Sequence, residues 1–116
     1  MIFVHDDIVH YPNQGAVRVG KPALREFILD AADAYDEWLA NVVVMNDEAQ
    51  TRLAAEFVVN GAYLKGRPGQ PQARGQKYVL PGGAFFEMRH GKISRLTTYY
   101  NLQDWIDQVG GEPRSS

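Results

Sequence analysis

The stretch Lys77–Tyr100, KYVLPGGAFFEMRHGKISRLTTYY, decides the fold. Lys77 to Met88 reads as a long strand interrupted by Pro81-Gly82-Gly83, because proline and glycine inside a strand mark a bulge or a sharp bend. His90-Gly91 supplies a tight hairpin turn, and Ile93 to Tyr100 returns as the next strand. A long hairpin bent near its middle belongs to a sheet that curls.

The flanking segments supply the rest of that sheet. Arg52 to Leu64 alternates, with Leu53, Ala55, Phe57 and Val59 on one face and Arg52, Glu56 and Asn60 on the other. Trp38 to Met45 is rich in valine and closes on the polar turn Asn46-Asp47-Glu48. Lys65 to Gly75 holds Pro68, Pro71 and three glycines and reads as a loop. Pro22 opens a helix over residues 22–35, in which Leu24, Phe27, Ile28, Ala31 and Tyr35 recur at helical spacing opposite Arg25, Glu26, Asp30 and Asp33. Ile8 to Pro12 forms a short first strand ended by Asn13-Gln14-Gly15. Leu102 to Val109 forms a short terminal helix with Asn101 as its N-cap, followed by a flexible tail over 110–116. Strand, helix, four strands and a closing helix predict one α+β domain over residues 1–109. Its antiparallel sheet curls around the single long helix and leaves an apolar interior.

Composition removes several function classes. With 116 residues the chain has room for one core, and 45% hydrophobic residues is ordinary for a folded domain. A formal net charge of -2 and scattered Lys and Arg argue against nucleic-acid and membrane-surface binding. Zero cysteines exclude a disulfide framework and a thiolate nucleophile, in keeping with a cytoplasmic location. His5, His10 and His90 are too dispersed for a metal site, and no phosphate-cradling glycine motif is present, so neither metal nor cofactor is expected.

Several runs carry a family resemblance: HYPNQG (10–15), VGKPALREF (19–27), AAEFVVNG (54–61), ARGQKYVLPGGAFFEMRHGKI (73–93) and TTYYNLQDW (97–105). Together they span nearly the whole chain. They resemble the ketosteroid isomerase-related branch of the nuclear transport factor 2-like superfamily, the group that includes the SnoaL-like polyketide cyclases. The resemblance implies a cone-shaped, cystatin-like α+β fold whose open end takes a small, mostly apolar, carbonyl-containing molecule. It also implies a homodimer formed through the convex sheet face. Family members carry one or two helices ahead of the first strand; here these are short or missing, and a second subunit is the expected cover.

The resemblance also implies a set of site residues. Ketosteroid isomerases use a carboxylate base, a tyrosine and a protonated aspartic acid. Here the base position falls on Tyr11 and the protonated acid on Gly83 or Ala84, while the tyrosine belongs to the N-terminal segment, so steroid isomerisation by that route is not expected. The family's strand parity points Tyr11, Phe57, Phe86, Leu96, Thr98 and Tyr100 into the cavity, with Tyr78 also lining it and Asn13 at the rim. Tyr11 is the catalytic candidate, as a phenol able to donate to a ligand carbonyl. His10, by alternation, faces away. Glu56 sits on the convex face with Arg95 or Arg52 as its expected partner. Trp38 and Trp105 read as core anchors, Trp105 pinning the terminal helix. Three readings stay open: an isomerase or cyclase of the SnoaL-like kind, a non-catalytic ligand-binding domain, and a dimeric protein-interaction module.

Overall fold

Strand β5 (Gln76–Arg89) runs through the middle of the sheet, and its partners explain how the rest is arranged. Seen in a computed structural model that describes residues 3–12 and 15–110, the chain runs β1 (Val4–Pro12), β2 (Arg18–Val19), α1 (Lys21–Ala34), β3 (Tyr35–Asn46), β4 (Arg52–Tyr63), β5, β6 (Lys92–Tyr100) and α2 (Leu102–Val109). The six strands form one sheet in the order β2-β1-β6-β5-β4-β3. Neighbours are antiparallel throughout except β1 and β6, which run parallel. The N-terminal strand thus joins the sheet beside the last one.

Pro81-Gly82-Gly83 does not interrupt β5. Pairing with β4 is continuous from Arg52↔Glu87 to Tyr63↔Gln76. The register shifts lie elsewhere, at Glu87/Met88 between β5 and β6, at Ala40/Val43 between β3 and β4 and at Val4/Val9 between β1 and β6. The proline has a positional reason. β6 pairs only with the second half of β5, from Gly82 onward, so the same edge of the first half lacks a strand. There the Gln108 side chain stands in for one: Val79 N–H donates to Gln108 Oε1 and Gln108 Nε2 donates to the Val79 carbonyl, both at 2.8 Å. The next residue to aim its backbone nitrogen at that edge is Pro81, which has no N–H to leave unpaired.

Both helices pack on one face of the sheet, the inner face. α2 is started by Asn101, whose side chain accepts from Asp104 N–H at 3.1 Å, and ended by Gly110. Its buried residues Trp105 and Val109 join Tyr63, Tyr78 and Leu80 in the main core, with Tyr35, Val59, Leu102 and Ile106 packed around them. α1 begins with proline in its first turn and buries Leu24 and Ala34. Ile28 does not join that buried stripe but lies exposed beside Leu29, and Tyr35 begins β3 instead of ending the helix. Trp38 is not a core anchor: it is 63% exposed, on the opposite, outer face. The domain is long, 54 × 28 × 20 Å, and its radius of gyration of 15.7 Å exceeds the about 13 Å of a compact domain of this size. Among the described residues no helix is long and apolar enough to cross a membrane.

Because Trp105 is nearly fully buried among three tyrosine rings, Trp105→Ala should cost about 3–5 kcal/mol of stability. Gln103→Ala on the exposed side of the same helix should stay within about 0.5 kcal/mol. Urea unfolding of the two variants checks this, and equal midpoints would show that α2 is not held through Trp105.

Candidate active site on the inner face

Register identifies which side chains share the inner face. One row runs Leu53, Phe86, Leu96, His10, Arg18 across β4, β5, β6, β1 and β2. The next runs Ala55, Ala84, Thr98, Pro12, and the one after it Phe57, Gly82, Tyr100. Two rows further on, Glu37, Gly61 and Tyr78 lie side by side. Of the residues expected in the cavity, Phe57, Tyr78, Phe86, Leu96, Thr98 and Tyr100 therefore do come together on this face. Asn13 lies outside the described residues.

Tyr11 and His10 exchange places relative to expectation. Tyr11 pairs with Thr97 on the outer face, where the Arg95 guanidinium lies 4.9 Å from its ring centre and the side chain is 37% exposed. His10, paired with Leu96, points inward and is 2% exposed. The two residues do alternate, but pairing with β6 sets which face each takes, and in a strand whose two faces both carry apolar residues the sequence offers no polar side to choose. Glu56 is likewise not the partner of Arg52 or Arg95; both arginines bridge to Glu87, at 3.0 and 3.2 Å.

At one end of the inner face the structure reveals a carboxylate that the sequence reading passed over. Glu37 falls at the joint between the predicted helix ending at 35 and the predicted strand starting at 38; the observed β3 begins at Tyr35 and carries Glu37 inward. The Tyr78 hydroxyl donates to Glu37 Oε2 at 2.5 Å. To reach it the Tyr78 ring crosses β4 at Gly61, where a Cβ would collide with Cζ and the hydroxyl of Tyr78. Phe57 uses Gly82 in the same way, with a Cβ there only 2.6 Å from Cε2. Burial first, and then the hydrogen bond to Glu37 and its charge, push the Tyr78 phenol far above its ordinary range, so it stays an O–H donor. Tyr100 is also raised, by burial first and then by Tyr35 and Glu37. A carboxylate, a donor that orients it and a second protonated phenol thus sit at one end of an apolar surface.

The other end holds His10. Its ring meets Phe27 of α1 edge-on, with centroids 4.8 Å apart, and the Arg18 guanidinium lies 5.1 Å from the centre of the same phenyl ring. Burial, followed by the positive charge of Arg18, lowers the His10 pKa and keeps the imidazole neutral. Among the described residues no group of three or more metal-ligating side chains gathers anywhere.

Comparison with known proteins gives the family of the fold. A family model described as the SnoaL-like domain matches residues 1–96. The solved structure of a candidate polyketide cyclase from Pseudomonas putida KT2440 is 46% identical, with a TM-score of 0.90, over 93% of this chain and 81% of that one. One from Xanthomonas campestris pv. campestris is 47% identical with a TM-score of 0.89, over 93% and 80%. A third, from Silicibacter sp. TM1040, is 44% identical with a TM-score of 0.91, over 95% and 80%. No functionally curated protein matches the chain.

The buried His10 generates a pH dependence of stability. Its folded pKa lies below the ordinary 6.5, so in acid the unfolded chain takes up the proton first. The stability that neutral His10 contributes is complete above about pH 6.5 and is lost as the pH falls through that value toward the folded pKa. Thermal midpoints at pH 7.5 and 5.0 should therefore diverge more for the wild type than for His10→Leu. Parallel losses in both proteins would show that His10 is not held neutral.

Proposed function

The chain belongs to the SnoaL-like family, and from that membership we propose that its inner face binds a small, largely apolar carbonyl compound and moves a proton on it, as an isomerase or a cyclase does. The observation that carries this reading is the Tyr78–Glu37 hydrogen bond across Gly61. A general base must be held within reach of the proton that it removes, and a phenol locked onto the carboxylate supplies that positioning. The substrate class follows from the similar proteins described as candidate polyketide cyclases, whose name implies a chain with several carbonyl groups.

In this reading Glu37 takes a proton from the carbon next to a ligand carbonyl. The C–H electron pair moves into the new C–C double bond and the carbonyl π pair moves onto oxygen. A protonated phenol such as Tyr100 donates to that developing enolate oxygen, where a preorganised donor is most effective. From there the Glu37 proton returns to a different carbon, which is isomerisation. Alternatively the enolate carbon attacks a second carbonyl of the same molecule and the proton goes to the resulting alkoxide, which is ring closure. The ketosteroid-isomerase positions take no part: Tyr11 faces outward, and Gly83 and Ala84 carry no donor.

Deuterium uptake at the α-carbon of 2-tetralone in D2O, followed by NMR, tests this. Glu37→Gln should slow catalysed exchange by about 10²- to 10⁴-fold while leaving ketone binding and the unfolding midpoint near those of the wild type. Undiminished exchange in Glu37→Gln would remove Glu37 as the base. Binding without exchange in the wild type would favour a ligand-binding domain.

The same proposal includes a homodimer through the outer face. Trp38, Val43, Met45, Val79, Phe85 and Tyr99 all lie on that face and are all exposed, and an apolar surface of this extent marks an interaction site. Sedimentation should find twice the 13.0 kDa chain mass, and Phe85→Glu should shift the species to monomer. A wild type that sediments as monomer at tens of micromolar would end the dimer proposal.

A further inference from the structure

At the β1–β2 end of the inner face two buried polar atoms have no partner among the described residues: Nδ1 of His10 and Nε of Arg18. They belong to residues paired in register across β1 and β2, and both side chains lean on the same ring, Phe27. Native proteins leave few such atoms unmade, because desolvating a polar group without a partner is costly. Two at one spot, one of them on a residue that is 2% exposed, mark a place built to receive a group from outside the chain.

The chemistry of the two atoms narrows that group. Arg18 Nε–H can only donate, and its guanidinium is always charged. The imidazole of His10, in the tautomer with its N–H on Nδ1, donates as well. A cation is excluded and a neutral carbonyl would leave the Arg18 charge uncompensated. A carboxylate accepts from both nitrogens and cancels the charge, in the strongest class of hydrogen bond available to a side chain. The neighbours in the same row, Leu96 and Phe86, are apolar. On β5, Phe86 is four residues from Gly82, whose row holds Tyr100, a separation of roughly 13 Å. That is the length of a two- or three-ring molecule.

We propose that His10 and Arg18 form the carboxylate-reading end of the ligand site, so that the molecule held on the inner face is an apolar acid whose carboxylate lies against Phe27 and whose body extends toward Tyr100. This inference rests on the reading of the inner face as the ligand site and adds to it the acid group. It also gives Phe27 a role, as the one ring against which both side chains are held.

A matched pair of probes tests the inference on the wild-type protein. By calorimetry 2-naphthoate should bind at least about tenfold more tightly than the ketone 2-acetonaphthone of similar size. On uniformly ¹⁵N-labelled protein the His10 ring nitrogens should shift with naphthoate and not with the ketone. Arg18→Gln should abolish the preference, with naphthoate affinity falling at least about tenfold and the naphthoate-induced shift of the His10 ring nitrogens lost. Equal binding of the two probes would overturn the inference, as would a preference that survives in Arg18→Gln. Naphthoate binding with no movement of the His10 nitrogens would assign the two atoms to a bridging water and also overturn it. Ketone binding alone leaves the inner face as the ligand site and removes only the acid. Binding of neither probe removes both.

Discussion

The Tyr78 ring lying across Gly61 is the contact on which the rest of the structure depends. One side chain from β5 crosses β4 and ends on β3, so three strands are tied at one point. The same ring packs against Trp105 at 6.2 Å between centroids, and Trp105 in turn meets Tyr63 at 5.0 Å and Tyr35 at 6.1 Å. Aromatic pairs at such separations add directional attraction to the burial of large apolar areas. What holds α2 to the sheet and what orients Glu37 are therefore one cluster. A glycine is required at its centre because only a missing side chain lets a ring pass so close to the backbone.

From that anchored end the inner face changes character row by row. The Phe57–Gly82–Tyr100 row combines a ring over glycine with a protonated phenol, and the Ala55–Ala84–Thr98 row is small and shallow. The last row ends in the buried His10 and the half-buried Arg18. Ionisable groups are concentrated toward the two ends, with mostly apolar or small residues between. Such a surface discriminates by where a ligand's polar groups sit along its length, since a misplaced one would lie unpaired against alanine or phenylalanine. The outer face offers a different surface: exposed aromatic and aliphatic side chains interrupted by Glu87 and its two arginines.

Much of this was legible in the sequence because it rests on local rules. Alternation along Arg52–Tyr63, the hairpin at His90-Gly91, the proline opening α1 and the Asn101 cap each follow from a few adjacent residues. The inward set from Phe57 to Tyr100 followed because β5 stays in register with both β4 and β6 from Gly82 to Glu87. Failures occurred where a decision depended on a distant partner. β1 takes its parity from β6, more than eighty positions away, so Tyr11 and His10 were assigned to the wrong faces. Glu37 was missed because it lies between a helical and an extended period, where neither pattern claims a residue. Trp38 looked like core by composition alone, and only its pairing with Asn60 places it outside. Pro81 looked like a break because the sequence shows a missing donor and does not show that Gln108 takes over the neighbouring edge.

The parallel pairing of β1 with β6 also sets the order in which the molecule can be completed. β3, β4 and β5 are joined by local hairpins and can assemble while the chain is still being synthesised. β1 is made long before β6, and until β6 has followed only the two-residue β2 can pair with it, so its other edge must be kept from wrong partners. The His10–Arg18 end is thus finished last, long after the Tyr78–Glu37 end can be in place. A pause in translation before β6, or a chaperone holding the early strand, would determine how much of the nascent protein ever acquires a complete inner face.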